Sequence, residues 1–517
     1  MTNRDLNAAW TYHNSTKHSY DSIHADAHYL DWENQPLPFK IYQTLDPIPL
    51  PRDLLSSEVP ALSAVSACHP SAETPSAPSM SMPLLASLLY FSAGITKRKQ
   101  YPGGEILFRA AACTGALYHI ELYLVCGDLP ELKAGVYHFG PGDFALRCLR
   151  QGDYREVLVR ATGGEPAVAA APLTVICTST FWRNAWKYRA RTYRHCFWDT
   201  GTIVANLLTV SAVQAVPAKI VLGFVDDTIN RLLGLDTERE VALALVTLGH
   251  APQAQPGLPP ALEPLQLDTV PLSNKEVDYP AIREMHAASS LSQEAEVATW
   301  RGRTPPHDWP APTGELFPLR PLSDVDAPTE TIEQVILRRG SSRRFARVPI
   351  GFAQLSTLLL RATRGIPADF LDPPGALLND LYLIANAVDE LPSGAYIFRR
   401  DHQALELLRG GVFRREAGYL GLMQEIPADA SVDVFSLTDL QAALERFGNR
   451  GYRAAQLEAG LIGGKLYLTA YAQRLGASGL TFFDDDVTRF FTPHAVDKSV
   501  MFLVALGKAG KLASPRG

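Results

Sequence analysis

Ten residues, Ile336 to Phe345, read Ile-Leu-Arg-Arg-Gly-Ser-Ser-Arg-Arg-Phe and bring four guanidinium groups and two hydroxyls together just after a Pro-rich stretch. Arginine presents a rigid fork of N–H donors that matches phosphate oxygens, and Arg339, Ser341 and Arg343 can converge on one anionic group from a single extended turn. The bland alternative is a solvated basic cap at a helix end, the commoner fate of such clusters. A second candidate is the small-residue run Cys113-Thr114-Gly115-Ala116-Leu117, with Pro102-Gly103-Gly104 before it, where exposed backbone N–H groups could approach a flat ligand closely. A third is Lys187-Tyr188, a cation beside a phenol, suited to giving or taking a proton. Lys508 and Lys511, after the last apolar run, can add charge to the same anion or form a solvated tail.

These residues sit in a chain that repeats itself. Leu122-Tyr123-Leu124 recurs as Leu381-Tyr382-Leu383, Gly135-Val136-Tyr137 as Gly394-Ala395-Tyr396, and Ala145-Leu146 as Ala404-Leu405, each 259 residues on. The same offset relates Arg191 and Arg194 to Arg450 and Arg453, Gly201 to Gly460, and Asp226-Asp227 to Asp485-Asp486. One register held over so long a stretch marks a tandem duplication of one α/β unit. Each copy predicts short strands (Ile120 to Val125 and Val175 to Thr178 in the first), a long apolar helix (about Arg194 to Ala215, and Tyr452 to Leu475), and a closing strand (Val241 to Leu248, and Val500 to Leu506). The fold class is therefore α+β, with two tandem domains. We divide the chain into an N-terminal arm and loop (1–82), a first domain (83–250), a linker (251–330) and a second domain (331–517). The linker holds fourteen of the 38 prolines and reads as helical only from about Ala281 to Trp300. Ser56 to Met82 reads as a surface loop, and Ala167 to Cys177 as a buried strand.

The two copies are not equivalent. Subtracting 259 from the arginine-rich stretch lands on Ser79 to Ala86, which contains no arginine, while Trp186-Lys187-Tyr188 becomes Glu445-Arg446-Phe447. Each half lacks something that the other has.

Bulk composition narrows the function. The formal charge is 48 − 54 = −6, with a pI near 6.1, so no basic field exists to hold a nucleic acid. There is no signal-like apolar start and no run of eighteen apolar residues, which predicts a cytoplasmic protein with no membrane partner. All six cysteines lie in the first half without C-x-x-C spacing, which favours reduced thiols. His18, His24 and His28 in the aromatic arm match no ligand spacing, so no metal is expected.

The motif Arg-Gly-Ser-x-Arg-x-Phe at Arg339 to Phe345 resembles the opening motif of the nitroreductase superfamily of FMN-dependent oxidoreductases. Gly115-Ala116-Leu117-Tyr118, Gly135-Val136-Tyr137-His138-Phe139, Lys187-Tyr188 and Gly223-Phe224-Val225-Asp226-Asp227 are similar to its SagB-type dehydrogenase branch, which includes oxidases that turn peptide azolines into azoles. Tyr12-His13-x-x-Thr16-Lys17-His18 and Leu30-Asp31-Trp32 are similar to segments of long members of that branch. The resemblance implies an intramolecular pseudo-dimer with one FMN between the halves. Arg339, Ser341, Arg343 and Lys508 would hold the phosphate, Cys113 to Leu117 would flank the ring, Gly479-Leu480-Thr481-Phe482 would run along its pyrimidine or N5 side, and Lys187 and Tyr188 would handle protons. Where the family usually has Pro-Ser, this chain has Ala112-Cys113, which removes an expected hydroxyl. The implied partners are a small-molecule or peptide substrate and NAD(P)H as a transient donor, since no G-x-G-x-x-G follows a strand. The rival reading is a flavin-binding or partner-binding protein without turnover.

Overall fold

The computed structural model describes residues 2–25, 29–67, 78–101, 104–251, 257–307, 309–323 and 325–510. It contains two seven-stranded antiparallel sheets of one topology. The first runs from edge to edge as Pro47–Pro49, Ala145–Gln151, Gly135–Gly140, Ile120–Cys126, Leu173–Thr180, Glu240–Leu248 and Ala218–Val221. The second runs as Leu316–Pro318, Ala404–Gly410, Gly394–Arg399, Asn379–Ala385, Val432–Thr438, Ser499–Gly507 and Gly476–Leu480. The central strands are mostly apolar because both of their faces are covered; Ile120–Cys126 is buried at every residue, Glu121 included.

The long helices Thr192–Val213 and Arg450–Ala472 are buried along almost their whole length, as helices that are apolar or small on all faces must be. They cross at the repeated glycines. A β-carbon on Gly201 would lie 2.4 Å from the backbone nitrogen of Leu461, and one on Gly460 would lie 2.6 Å from the α-carbon of Trp198. Only hydrogen fits at either position, and this lets the two halves pack as an intramolecular pseudo-dimer.

The halves are locked by exchanged ion pairs. Arg191 and Arg194 reach Asp484 at 3.0 and 2.5 Å, and their counterparts Arg450 and Arg453 reach Asp226 at 2.6 and 2.7 Å. The partner of Asp226 in the repeat is therefore Asp484, and not Asp485 as the constant offset of 259 predicts. Pro217, between the long helix and the edge strand, has no counterpart in the second half, so the register drops there to 258 (484 − 226).

The duplication also reaches into the arm and the linker. His13 and His286 lie on the helices Asn7–Ser15 and Pro280–Ala288, and their Nδ1 atoms meet Tyr452 Oη at 3.4 Å and Tyr193 Oη at 3.3 Å. Thr16 and Ser289 hydroxyls accept from Arg194 and Arg453 at 3.1 and 2.8 Å. The helical stretch of the linker is broken into Pro280–Ala288 and Glu294–Trp300.

Two local expectations fail. Ser56 to Met82 includes a helix, Ala61–Ser66, whose Ala61, Leu62, Ala64 and Val65 are buried. Ala167 to Cys177 is a short helix, Pro166–Ala170, followed by the strand, because Pro166 starts a helical turn that the apolar run conceals. Among the described residues one helical run, Phe181–Val213, is long and apolar enough to cross a membrane, and 89% of its apolar window is buried inside the protein. No group of metal-ligating side chains is found among the described residues; His28 lies outside them.

Candidate functional site

The arginine-rich stretch follows the helix Ile332–Arg338, whose start is fixed by a capping box between Thr331 and Gln334. Its backbone is then stitched to the second sheet. Ser342 N–H donates to Ala477 O at 2.9 Å, and Ala346 N–H donates to Lys508 O at 2.9 Å. The Ser341 hydroxyl lies 3.1 Å from Tyr467 Oη, which also takes the Gly479 N–H, so the motif and the edge strand Gly476–Leu480 share one phenol.

Arg339 crosses to the other half. Its Nε and Nη2 donate to the carbonyls of Ala110 and Arg109 at 2.8 and 3.1 Å, just before the small-residue run. Arg338 turns away onto Glu330 at 2.6 Å. Arg343 and Lys508 are exposed, and neither has an ion-pair partner among the described residues.

The small-residue run is held from beneath by Asp199 of the long helix. Asp199 accepts from Thr114 N at 2.9 Å, Thr114 Oγ1 at 2.8 Å and Cys113 Sγ at 3.0 Å, and it pairs with His119 Nε2 at 2.9 Å. This corrects the expectation of a row of outward amides. Thr114 N–H is taken by Asp199, Ala116 and Leu117 N–H by carbonyls of the same turn, and Tyr118 N–H by Cys113 Sγ at 3.0 Å. Gly115, at φ +64°, is the exposed member. Cys113 faces inward, and burial followed by the neighbouring Asp199 pushes its thiol well up, so it is a neutral donor to Asp199. Gly104 opens the second strand of a separate hairpin, Ile95–Tyr101 with Gly104–Arg109, and is not part of the run.

Lys187 and Tyr188 end the helix Phe181–Tyr188. The Tyr188 ring stands edge-on to His195, with centroids 4.7 Å apart, and Lys187 Nζ lies 5.3 Å from the Tyr188 ring. Burial, with Asp199 and Cys113 nearby, pushes the Tyr188 phenol up. Burial first and then the charge of Arg343 push the Lys187 amine down. A cation of the second half thus acts on the Lys-Tyr pair of the first.

Sequence reasoning missed the groups that complete the crevice. Arg191 lies 5.3 Å from the Phe482 ring, and its Nε and Nη2 are buried without a partner, as are Thr481 Oγ1 and His195 Nε2. Buried polar atoms left without a protein partner suit a polar ligand. The repeat had marked Arg191; nothing in the sequence marked Asp199, Tyr467 or His195. A cavity of about 440 Å³ borders the same helix through Phe181, Trp182 and Ala185, but no buried polar atom among its lining is unpartnered.

Fold and homology together define the class: the chain is a nitroreductase-like protein built from two tandem domains. Its structure matches the crystal structure of a protein assigned as a nitroreductase from Anabaena variabilis, with a TM-score of 0.76, 26% identity, and coverage of 97% of this chain and 99% of that one. In sequence it is 22% identical over 166 residues to a protein assigned as a nitroreductase in Methanocaldococcus jannaschii, across 32% of this chain and 79% of the relative. It is 28% identical over 158 residues to the microcin B17-processing protein McbC of Escherichia coli, across 29% of this chain and 53% of the relative. No family model matches the chain.

Proposed function

We propose that this protein is an FMN-dependent oxidoreductase of the SagB-type dehydrogenase branch, with one composite flavin site between its halves. The observation that carries this reading is the crossing of Arg339 from the second half onto Arg109 and Ala110 of the first, which joins the anion-binding stretch to the mouth of the small-residue run. Arg343, Ser341 and Lys508 would hold the phosphate, with Arg339 as the strut that keeps their turn in place. Gly115 and Ala116 would bound one side of the ring, and Gly479 to Phe482 the other. Bound FMN supplies hydride acceptance and release. The chain's own part is to orient the ring, to exclude water by the apolar walls of Phe482 and Trp198, and to offer a proton at Tyr188 Oη.

Tyr188 suits a donor by position, its phenol protonated and set against Gly115 of the small-residue run. Lys187, with its amine pushed down, suits the partner that restores that proton. The microcin-processing relative supports a peptide as substrate, and NAD(P)H is the candidate transient electron donor. The test is direct. The purified protein should carry flavin absorbance that bleaches with dithionite or NAD(P)H and returns in air, whereas a colourless protein that takes up no FMN would contradict the reading.

A further inference from the structure

The duplication implies a second crevice, related to the first by the exchange of halves. Its parts are identifiable by register. Leu222-Gly223-Phe224 correspond to Leu480-Thr481-Phe482, Phe447 to Tyr188, and Arg450 to Arg191. Pro60 pairs with Thr331, so Ala61–Ser66 is the counterpart of Ile332–Arg338. The register of that pairing is 271 (331 − 60), so the counterpart of Arg338 is Ala67 and not Ser79. Residues 68–77 lie outside the described structure, and their sequence contains neither arginine nor lysine.

This second crevice is filled by the chain. The two carboxylate oxygens of Asp369 accept the N–H groups of Leu222 and Gly223, each at 2.9 Å. The Trp300 ring packs against Gly223 so closely that a β-carbon there would stand 3.0 Å from Cε3 of the indole. Its Nε1–H donates to Phe447 O at 2.8 Å, and its ring centre is 5.2 Å from that of Phe447. Arg450 lies 4.4 Å from the Phe224 ring and 6.0 Å from that of Trp300. The segment is tied down beyond the indole, where Thr304 and Asp372 exchange two hydrogen bonds of 2.9 Å. A planar ring beside the arginine and a hydrogen-bond acceptor on the two turn amides are what a ligand would supply at the composite site.

We infer that the duplicate crevice is internally liganded, with the Trp300 indole in place of a planar ring and the Asp369 carboxylate in place of its acceptor edge. The inference rests on the composite-site reading, and the crevice becomes a structural joint that secures the linker and leaves one flavin site per chain. Glycine at 223 is what admits the indole; the equivalent Thr481 would obstruct it.

The experiment saturates the full chain with FMN, removes the excess, and measures bound flavin by acid release for the wild type, Arg339→Ala/Arg343→Ala and Trp300→Ala. It then adds lumiflavin, the ring without a phosphate chain, to each FMN-loaded protein and follows the melting temperature. We expect one FMN per wild-type chain, lost in the arginine variant and kept in Trp300→Ala. We also expect lumiflavin to raise the melting temperature of Trp300→Ala but not that of the wild type. Should Trp300→Ala fail to fold, Trp300→Leu carries the same comparison. Two FMN per wild-type chain, or one that is lost with Trp300 and kept without the arginines, would overturn the inference; so would a Trp300 variant blind to lumiflavin. No FMN at all would overturn the composite-site reading, while the lumiflavin comparison still decides the crevice.

Discussion

Gly115 lies directly against the Tyr188 phenol: a β-carbon at Gly115 would stand 2.7 Å from the hydroxyl oxygen. The glycine therefore serves two purposes, the left-handed turn at φ +64° and the seating of a proton donor. Gly115→Ala should displace the phenol and cost about 1–2 kcal/mol of stability from the backbone alone, by the usual penalty for an L-residue in that region. Denaturant midpoints would give the stability term. The turnover rate should fall toward that of Tyr188→Phe; unchanged turnover would show that the phenol's position does not matter.

Tyr188→Phe removes the proton and keeps the ring. With a positioned donor lost, turnover should slow by about 10²–10⁴-fold while FMN stays bound and reducible by dithionite. Loss of flavin in this variant would make the tyrosine structural.

The charge of Arg343 lowers the affinity of Lys187 for its proton, second only to burial. Removing it in Arg343→Ala should move the Lys187 titration upward, toward the ordinary lysine range. In a pH–rate profile at saturating FMN, the basic limb shifts to higher pH. A profile that stays in place would separate Lys187 from the reaction.

The exchanged ion pairs make stability depend on acid. Burial alone would raise the Asp226 carboxyl, but Arg450 and Arg453 outweigh it and bring it down to about 2, below the usual 3.8. Asp484 is lowered in the same way by Arg191 and Arg194. The folded chain thus binds fewer protons than the unfolded chain between these values, so this stability is full above about pH 4 and is lost as pH falls toward 2. Asp226→Asn or Asp484→Asn strands buried arginines and should cost about 3–5 kcal/mol at neutral pH. Urea midpoints between pH 2 and 5 should show a shallower slope in either variant.

How much of this was legible in the sequence differs by element. The duplication was legible because Gly201 and Gly460, and the paired arginines, keep a constant spacing that only duplication explains, whereas the pseudo-dimer was what the family resemblance implied. The domains' strands and long helices follow from continuous apolar runs. The single-residue slip at Pro217 was not legible, because the acidic pairs Asp226-Asp227 and Asp485-Asp486 align at the wrong offset as readily as the true partners align at 258. The inward amides of the small-residue run were also hidden. The acceptor of the Thr114 N–H, Asp199, lies some 85 residues on and meets it only through the fold. Trp300 looked like the end of a linker helix; its role depends on Gly223, a contact no local pattern encodes.

The central claim is that arginines of one half and a loop of the other make one flavin site. The most direct measurement is FMN affinity, by fluorescence titration, of the wild type against Arg339→Ala/Arg343→Ala. Loss of the Arg343 charge-assisted contact of about 1.5–3 kcal/mol, together with the Arg339 strut that holds its turn, should weaken binding by at least about tenfold, while the exchanged ion pairs keep the fold intact. Equal affinity in the double variant would contradict the account and return the arginine-rich stretch to a solvated basic cap.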